Sequence, residues 1–291
     1  MTGDEVSVVT GAFGYSGKYI TERLLASGNS VRTLTGHPDR QNPFGHRVSV
    51  FPFNFDKPGA LVDSLRGASV LFNTYWVRFA RGGASFEAAV DNTKTLIRAA
   101  KEAGIRKIVH ISITNPSEDS PLPYFRGKAV LERAIIDSGL SCAIIRPTVI
   151  FGREDILINN IAWLLRRFPV FVEDVADIAV AMAGRAESAV VDAVGPDTFT
   201  FNELVRLIAS KTGSRARIIH LPAGPALFAS RLIGHVVRGV VLTRDEVAGL
   251  TSGLLISRAP STCPTRLSDW LDENAAALGT RYASELARHY R

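Results

Sequence analysis

Tyr124 and Lys128 stand four residues apart in PLPYFRGKAVLER (121–133). On a helix, that spacing puts both side chains on one face, one turn apart. A phenol titrating at about 10 exchanges protons poorly at neutral pH, and a lysine ammonium one turn away makes its phenolate easier to form. A hydroxyl at the end of the preceding strand can orient the oxygen that receives or gives the proton. KIVHISIT (107–114) offers two, Ser112 and Thr114. An ordinary helix start can hold the same residues, so the elements around the pair must decide its meaning.

The first of those elements is VSVVT (6–10), a β-branched run that leads into TGAFGYSGKYI (10–20) with Gly11, Gly14 and Gly17. Glycines allow a tight turn and close approach of backbone to a pyrophosphate, which then rests on the free amides of a helix N-terminus. A glycine-rich turn carries weight only when it follows a strand, opens a helix and heads a βαβ series. Here it does all three. YSGKYITERLLASG (15–28) carries Ile20, Leu24 and Leu25 at helical spacing and stops at Gly28.

The alternation continues. SVRTLT (30–35), RVSVFPF (47–53), ASVLFNTYW (68–76), KIVHISIT (107–114) and SCAIIRPTVI (141–150) read as strands. A short helix near 60–65, a long amphipathic one over 85–104 and the Tyr124–Lys128 helix lie between them. Near-continuous apolar strands alternating with helices predict an α/β fold with a doubly wound parallel sheet covered on both faces. Beyond residue 150 the order changes: helices are expected over 155–168 and 172–184, a strand over 189–195, and a helix over 199–213 with Thr200 and Glu203 as a capping box. Two regions follow, a nucleotide-binding one over 1–150 and a smaller, mostly helical substrate region over 151–291, partly interleaved with the sheet.

The TGxxGxxG spacing and the Tyr-x-x-x-Lys pair on the helix after the fifth strand resemble the short-chain dehydrogenase/reductase superfamily in its extended or atypical branches, from residue 5 to about residue 210. The resemblance implies a Rossmann fold, a bound NAD(P), Tyr124 as acid/base and Lys128 as its electrostatic partner and as a holder of the cofactor ribose. Thr114 aligns better than Ser112 as the third hydroxyl, and Ser112 stays the alternative. IIRPTVIFGRED (144–155) resembles the segment whose backbone, Pro147 and Val149 included, meets the nicotinamide. Its FGRED extension, with Asn159 downstream, resembles the atypical group of NmrA-like proteins and the NAD(P)H-binding accessory subunit of respiratory complex I. In relatives a further loop separates the counterparts of RRFPVF (166–171) and VEDVAD (172–177); here the two segments abut.

The expected cofactor contacts begin at the turn, with Gly11, Phe13, Gly14, Tyr15 and Gly17, and continue to Thr74 in the fourth strand. An acid at the end of the second strand would favour NAD by binding its ribose and repelling a 2′-phosphate. RTLTGHPDR (32–40) places Thr35, Gly36, His37 and Arg40 there and no acid before Asp39, which leans toward NADP(H). After the third strand, FNFD (53–56) sets Asn54, Phe55 and Asp56 where the superfamily meets the adenine; Asn and Asp are equally ordinary turn formers.

The bulk composition narrows the classes. The chain has 291 residues, 46% hydrophobic and 21% charged, with a formal net charge of +6. That suits a globular protein with a sizeable core. Cations are spread along the chain without a run of Lys/Arg, so a solvated surface is expected rather than a specific nucleic-acid footprint. Cys142 and Cys263 form no CxxC pair, and no secretory pattern precedes the first strand, so a cytoplasmic location is expected. LFASRLIGHVVRGVVL (227–242) is too short and too charged to span a bilayer, and a helix against a groove or a partner is expected there. Six scattered histidines give no metal motif, and neither GxSxG nor GxxxxGK[ST] occurs. The readings that survive are an NAD(P)-dependent reductase, dehydrogenase or epimerase acting on a small carbonyl, hydroxyl or sugar-nucleotide substrate, and a non-catalytic NAD(P)H-binding protein. A homodimer stays open.

Overall fold

The structure is a computed structural model describing residues 5–81, 84–152, 169–197, 199, 201–214, 223–237, 239–241, 243–252, 254–255 and 257–278. It divides into two compact units, one formed by Met1–Pro147 with Val172–Ala193 and the other by Thr148–Phe171 with Val194–Arg291.

The first unit is built on a seven-stranded parallel sheet. Its strands are β1 (Val6–Thr10), β2 (Ser30–Thr35), β3 (Val48–Pro52), β4 (Val70–Asn73), β5 (Lys107–Ile111), β6 (Ser141–Pro147) and β9 (Ala189–Ala193). Their order is β3-β2-β1-β4-β5-β6-β9, every pair parallel. The order reverses between β1 and β4, and in doubly wound sheets ligands bind outside the carboxyl ends of strands at such a switch point. The helices are α1 (Tyr15–Ala26), α2 (Pro58–Leu65), α3 (Phe86–Glu102), α4 (Pro123–Asp137) and α5 (Val172–Ala183). Ser85 caps α3, its hydroxyl accepting from Ala88 N at 3.0 Å, and Gly104 leaves it at a φ of 81°. One apolar layer joins Val8, Leu34, Leu71 and Ile108 of the sheet to Leu61, Leu65, Leu96 and Ile135 of α2, α3 and α4.

Strands end where the backbone finds other partners. The run read as a strand to Trp76 stops at Asn73, because the Thr10 hydroxyl accepts from the amides of Thr74 (2.8 Å) and Tyr75 (3.0 Å). The run read to Thr114 stops at Ile111, and the run over 141–150 is two strands. Pro147 has no amide to donate, and β7 (Val149–Phe151) belongs to a different sheet.

In the second unit β7 pairs in parallel with β8 (Pro169–Phe171). Its described helices are α6 (Phe201–Lys211), α7 (Ala223–Val236), α8 (Arg244–Thr251) and α9 (Leu267–Asn274). Phe151, Leu204, Ile208, Leu267, Trp270 and Leu271 form its core. Asp197 acts as a remote cap for α9, accepting from Ser268 N at 3.0 Å and Ser268 Oγ at 2.8 Å while pairing with Arg266 at 2.7 Å. The helix expected over 155–168, Asn159 within it and the Thr200 cap lie outside the described residues. Among the described residues no helix is long and apolar enough to cross a membrane, and no His/Cys/Asp/Glu group could hold a metal.

A candidate dinucleotide site at the carboxyl edge of the sheet

At the end of β1 the chain turns through Gly11, whose φ is 67°, a value only glycine adopts without strain. The turn is held by Gly11 N donating to Leu34 O (2.8 Å), Ala12 N to Thr33 Oγ1 (3.0 Å) and Gly14 N to Gly11 O (2.8 Å). Gly17, in the first turn of α1, packs on that loop: a Cβ there would lie 2.2 Å from Gly11 O. Gly14 is the extended N-cap of α1, no side chain caps the helix, and its first turn carries no acid. An anion is the natural complement of such an end. Phe13 and Tyr15 flank the turn, their rings against Phe44 (6.4 Å) and Tyr19 (5.9 Å).

Beside it, the ends of β2 and β3 border an open groove of about 570 Å³ lined by Thr35, Gly36, Pro52, Phe53, Asn54, Phe55, Asp56 and Asn92. Asn54 has a φ of 48°, which turns the chain there. Phe53 and Phe55 stack at 4.8 Å, and Tyr75 packs on both, at 4.9 and 5.2 Å. Asn92 Nδ2 donates to the Tyr75 hydroxyl at 3.0 Å, and burial raises that phenol's pKa. Thr35 Oγ1 accepts from His37 N at 3.1 Å, while the His37 side chain is exposed and Arg40 half-buried. The sequence reading passed over Tyr75, because NTYW was read as the end of a strand, and Asn92, because it lies within the long amphipathic helix read over 85–104.

The floor between these parts and α4 is a buried polar network. Thr10 Oγ1 donates to Asn73 Oδ1 (3.2 Å), which also accepts from Tyr75 N (3.1 Å). That fixes the amide, so Asn73 Nδ2 faces His110 Nδ1 at 3.0 Å and makes it an acceptor. His110 is therefore neutral, with its proton on Nε2, and burial with Lys128 nearby holds its pKa well below the usual value.

On α4, Lys128 is 3% exposed. Its Nζ donates to Ile111 O at 2.8 Å and lies 4.6 Å from the Trp76 ring centre. Burial lowers its pKa to about 7, and Glu132, one turn further along α4, opposes that shift. Tyr124, one turn before Lys128, sets its ring edge-on to Trp76 at 5.6 Å and to Phe86 at 6.0 Å. Tyr124 and Lys128 thus converge on one residue that the sequence reading did not single out. Gly127 makes room for it: a Cβ at 127 would lie 2.7 Å from Trp76 Cη2.

The two candidate hydroxyls have different surroundings. Ser112 Oγ donates to Glu132 Oε1 at 2.5 Å, and Glu132 is paired bidentately with Arg146, whose pKa it raises. Thr114 is fully buried, its amide donates to Pro147 O at 3.0 Å, and its hydroxyl has no hydrogen-bond partner among the described residues. Thr74, after β4, donates to Thr10 O at 2.5 Å. Val149 lies on β7 in the second unit and is buried. Glu132 had a visible signal: Tyr124, Lys128 and Glu132 recur at intervals of four, one helix face.

The profile of the NAD(P)H-binding family matches residues 11–184, which spans the glycine turn, the groove, the polar network and α4. The chain belongs to this family. Over 287 residues it is 25% identical to NADH dehydrogenase (ubiquinone) 1 alpha subcomplex subunit 9 of Arabidopsis thaliana, covering 87% of this chain and 71% of that one. It is 28% identical to a ceramide reductase of Caulobacter vibrioides, with 78% and 77% covered. A nucleoside-diphosphate-sugar epimerase from Staphylococcus aureus superposes with a TM-score of 0.71 at 16% identity, over 91% of this chain and 99% of that one. MoeE5 in complex with UDP-glucose and NAD gives 0.61 at 24% identity, over 72% and 82%. The structural likenesses establish a fold shared with these two proteins. With the family match, they bear out the resemblance read from TGxxGxxG and the Tyr–Lys helix.

Proposed function

We propose that this chain is an NAD(P)-dependent oxidoreductase or epimerase acting on a small carbonyl, hydroxyl or sugar-nucleotide substrate. The observation that carries the reading is the convergence of Tyr124 and Lys128 on Trp76, on the α4 face against the end of β5. The residues fit a dinucleotide: the uncapped α1 N-terminus suits a pyrophosphate, and the groove with Asn54, Phe55 and Asn92 suits an adenosine. Thr35, Gly36, His37 and Arg40, with no acid at the strand end, favour a 2′-phosphate and so NADP(H). When bound, the nicotinamide supplies or accepts a hydride.

Tyr124 gives a proton to the developing alkoxide or takes it from the alcohol. Lys128 stabilises the phenolate while it is charged, which its pKa of about 7 places at neutral pH and below. Thr114, with a buried hydroxyl that has no partner among the described residues, is the better group to orient the substrate oxygen; Ser112 serves the Glu132–Arg146 pair instead. Tyr124→Phe is expected to lower turnover by about 10²- to 10⁴-fold with cofactor affinity within about twofold of wild type. Steady-state kinetics on a carbonyl panel, beside calorimetric cofactor titration, measure both; full turnover in the variant rules out the acid/base role.

A second reading, a non-catalytic NAD(P)H-binding protein, is favoured by the commitment of Lys128 to Ile111 O and the Trp76 ring. The complex I subunit among the relatives supports it too. Tight cofactor binding without nicotinamide oxidation or reduction across the panel would decide for it.

A further inference from the structure

Helix α7 in the second unit exposes the side chains a protein ordinarily hides. Phe228, Leu232 and Val236 are 65%, 57% and 80% exposed. Their spacing of four places them along one stripe. Arg231 and His235, also exposed, lie directly beside that stripe, while Ser230 and Gly234 on the other side are buried. The sequence stretch that contains the helix is one-sided in charge. From Leu204 to Arg244, 41 residues, the chain has seven Lys/Arg and no acid. The whole molecule carries +6, so the remaining residues come to −1 and the positive balance belongs to this stretch. Lys211 is paired with Asp272; no acid within the stretch neutralises Arg231.

We infer that α7 lies in the interface of an anionic phospholipid bilayer, with Phe228, Leu232 and Val236 in the acyl boundary and Arg231 and His235 among the headgroups. Large apolar residues on one stripe with a guanidinium at its border are what such an interface takes up, since it offers hydrocarbon and negative charge side by side. A nucleic acid has no use for an aliphatic stripe. A second copy of the chain would bring Arg231 and His235 toward their own duplicates.

Co-sedimentation of the full chain with vesicles of phosphatidylcholine, with and without phosphatidylglycerol, tests this. Binding is expected to the anionic vesicles and to weaken with salt. The triple variant Phe228→Ser, Leu232→Ser, Val236→Ser is expected to lose about tenfold or more in partitioning. Its thermal midpoint should hold, because the replaced side chains are mostly in water. Arg231→Glu is expected to lose about fivefold or more, the effect shrinking at high salt. Phe228→Trp gives a second readout, with fluorescence quenched by bromine-labelled acyl chains. No binding to anionic vesicles overturns the inference. So does equal binding by the triple variant, an unquenched Trp on bound protein, or a triple variant that turns a dimer into a monomer and binds vesicles as before.

Discussion

Gly17 shows how little freedom the nucleotide turn has. A Cβ at 17 would lie 2.2 Å from Gly11 O and 2.8 Å from its carbonyl carbon, both backbone atoms with no rotamer to change. Alanine is the better helix former by about 0.5–1 kcal/mol. Relieving the overlap means moving α1 off the turn, and overpacking of this kind costs about 1–3 kcal/mol. Gly17→Ala is therefore expected to be net destabilising by about 1–2 kcal/mol in urea unfolding. Cofactor affinity should fall with it, since the same movement displaces the amides at the start of α1. A variant as stable as wild type with unchanged affinity would show that the turn yields easily. The three glycines were legible because a strand and a helix bracket them. Trp76 was not, because an aromatic after an apolar run reads as more strand, and only the Thr10 hydroxyl, 66 residues earlier in the chain, ends that strand at Asn73.

At the scale of the element, α4 carries Tyr124, Lys128 and Glu132 on one face, and their burial differs from what an isolated helix suggests. Lys128 has a folded pKa of about 7, lowered by burial, against about 10.4 for an exposed lysine. Between those values the unfolded chain binds more protons than the folded one, so wild-type stability rises as pH climbs from about 7 toward 10. Below 7 both states hold the proton, and the cost of burying the charge is fully present. Lys128→Met removes the titration and keeps the stem's packing on Trp76. The variant's advantage over wild type should be greatest near pH 7 and shrink by pH 9.5 in chemical denaturation. A difference independent of pH would mean that Lys128 titrates normally. Strands β1 and β2 were legible as β-branched runs bounded by glycine. The break between β6 and β7 was missed although Pro147 marks it, because the apolar run SCAIIRPTVI continues on both sides of the proline.

At the scale of the molecule, the strand order places the ends of β1, β2 and β3 on one side of the switch point and those of β4 and β5, with α4, on the other. The glycine turn, the groove at the ends of β2 and β3, and α4 all belong to the unit built on the seven-stranded sheet, whereas Val149 lies in the other unit. Dinucleotide binding stabilises the folded chain by mass action, about 2.7 kcal/mol at a hundredfold excess over Kd. For a chain of this size that raises the unfolding midpoint by about 5 °C or more. The end of β2 decides which nucleotide gains most. Asp39 is the nearest acid after Thr35 in the sequence, Arg40 supplies a cation, and the Thr35 hydroxyl already accepts from His37 N. The proposed preference for a 2′-phosphate rests on the lack of an acid from Thr35 to Pro38 in the sequence; the carboxylate that lines the groove beside Thr35 and Gly36 is Asp56, after β3. Thermal unfolding with NAD⁺, NADH, NADP⁺ and NADPH at equal concentration is expected to show the larger shifts for the phosphorylated pair. Equal shifts for both pairs would remove the NADP(H) preference and leave dinucleotide binding standing. No shift with any of the four would remove the site itself.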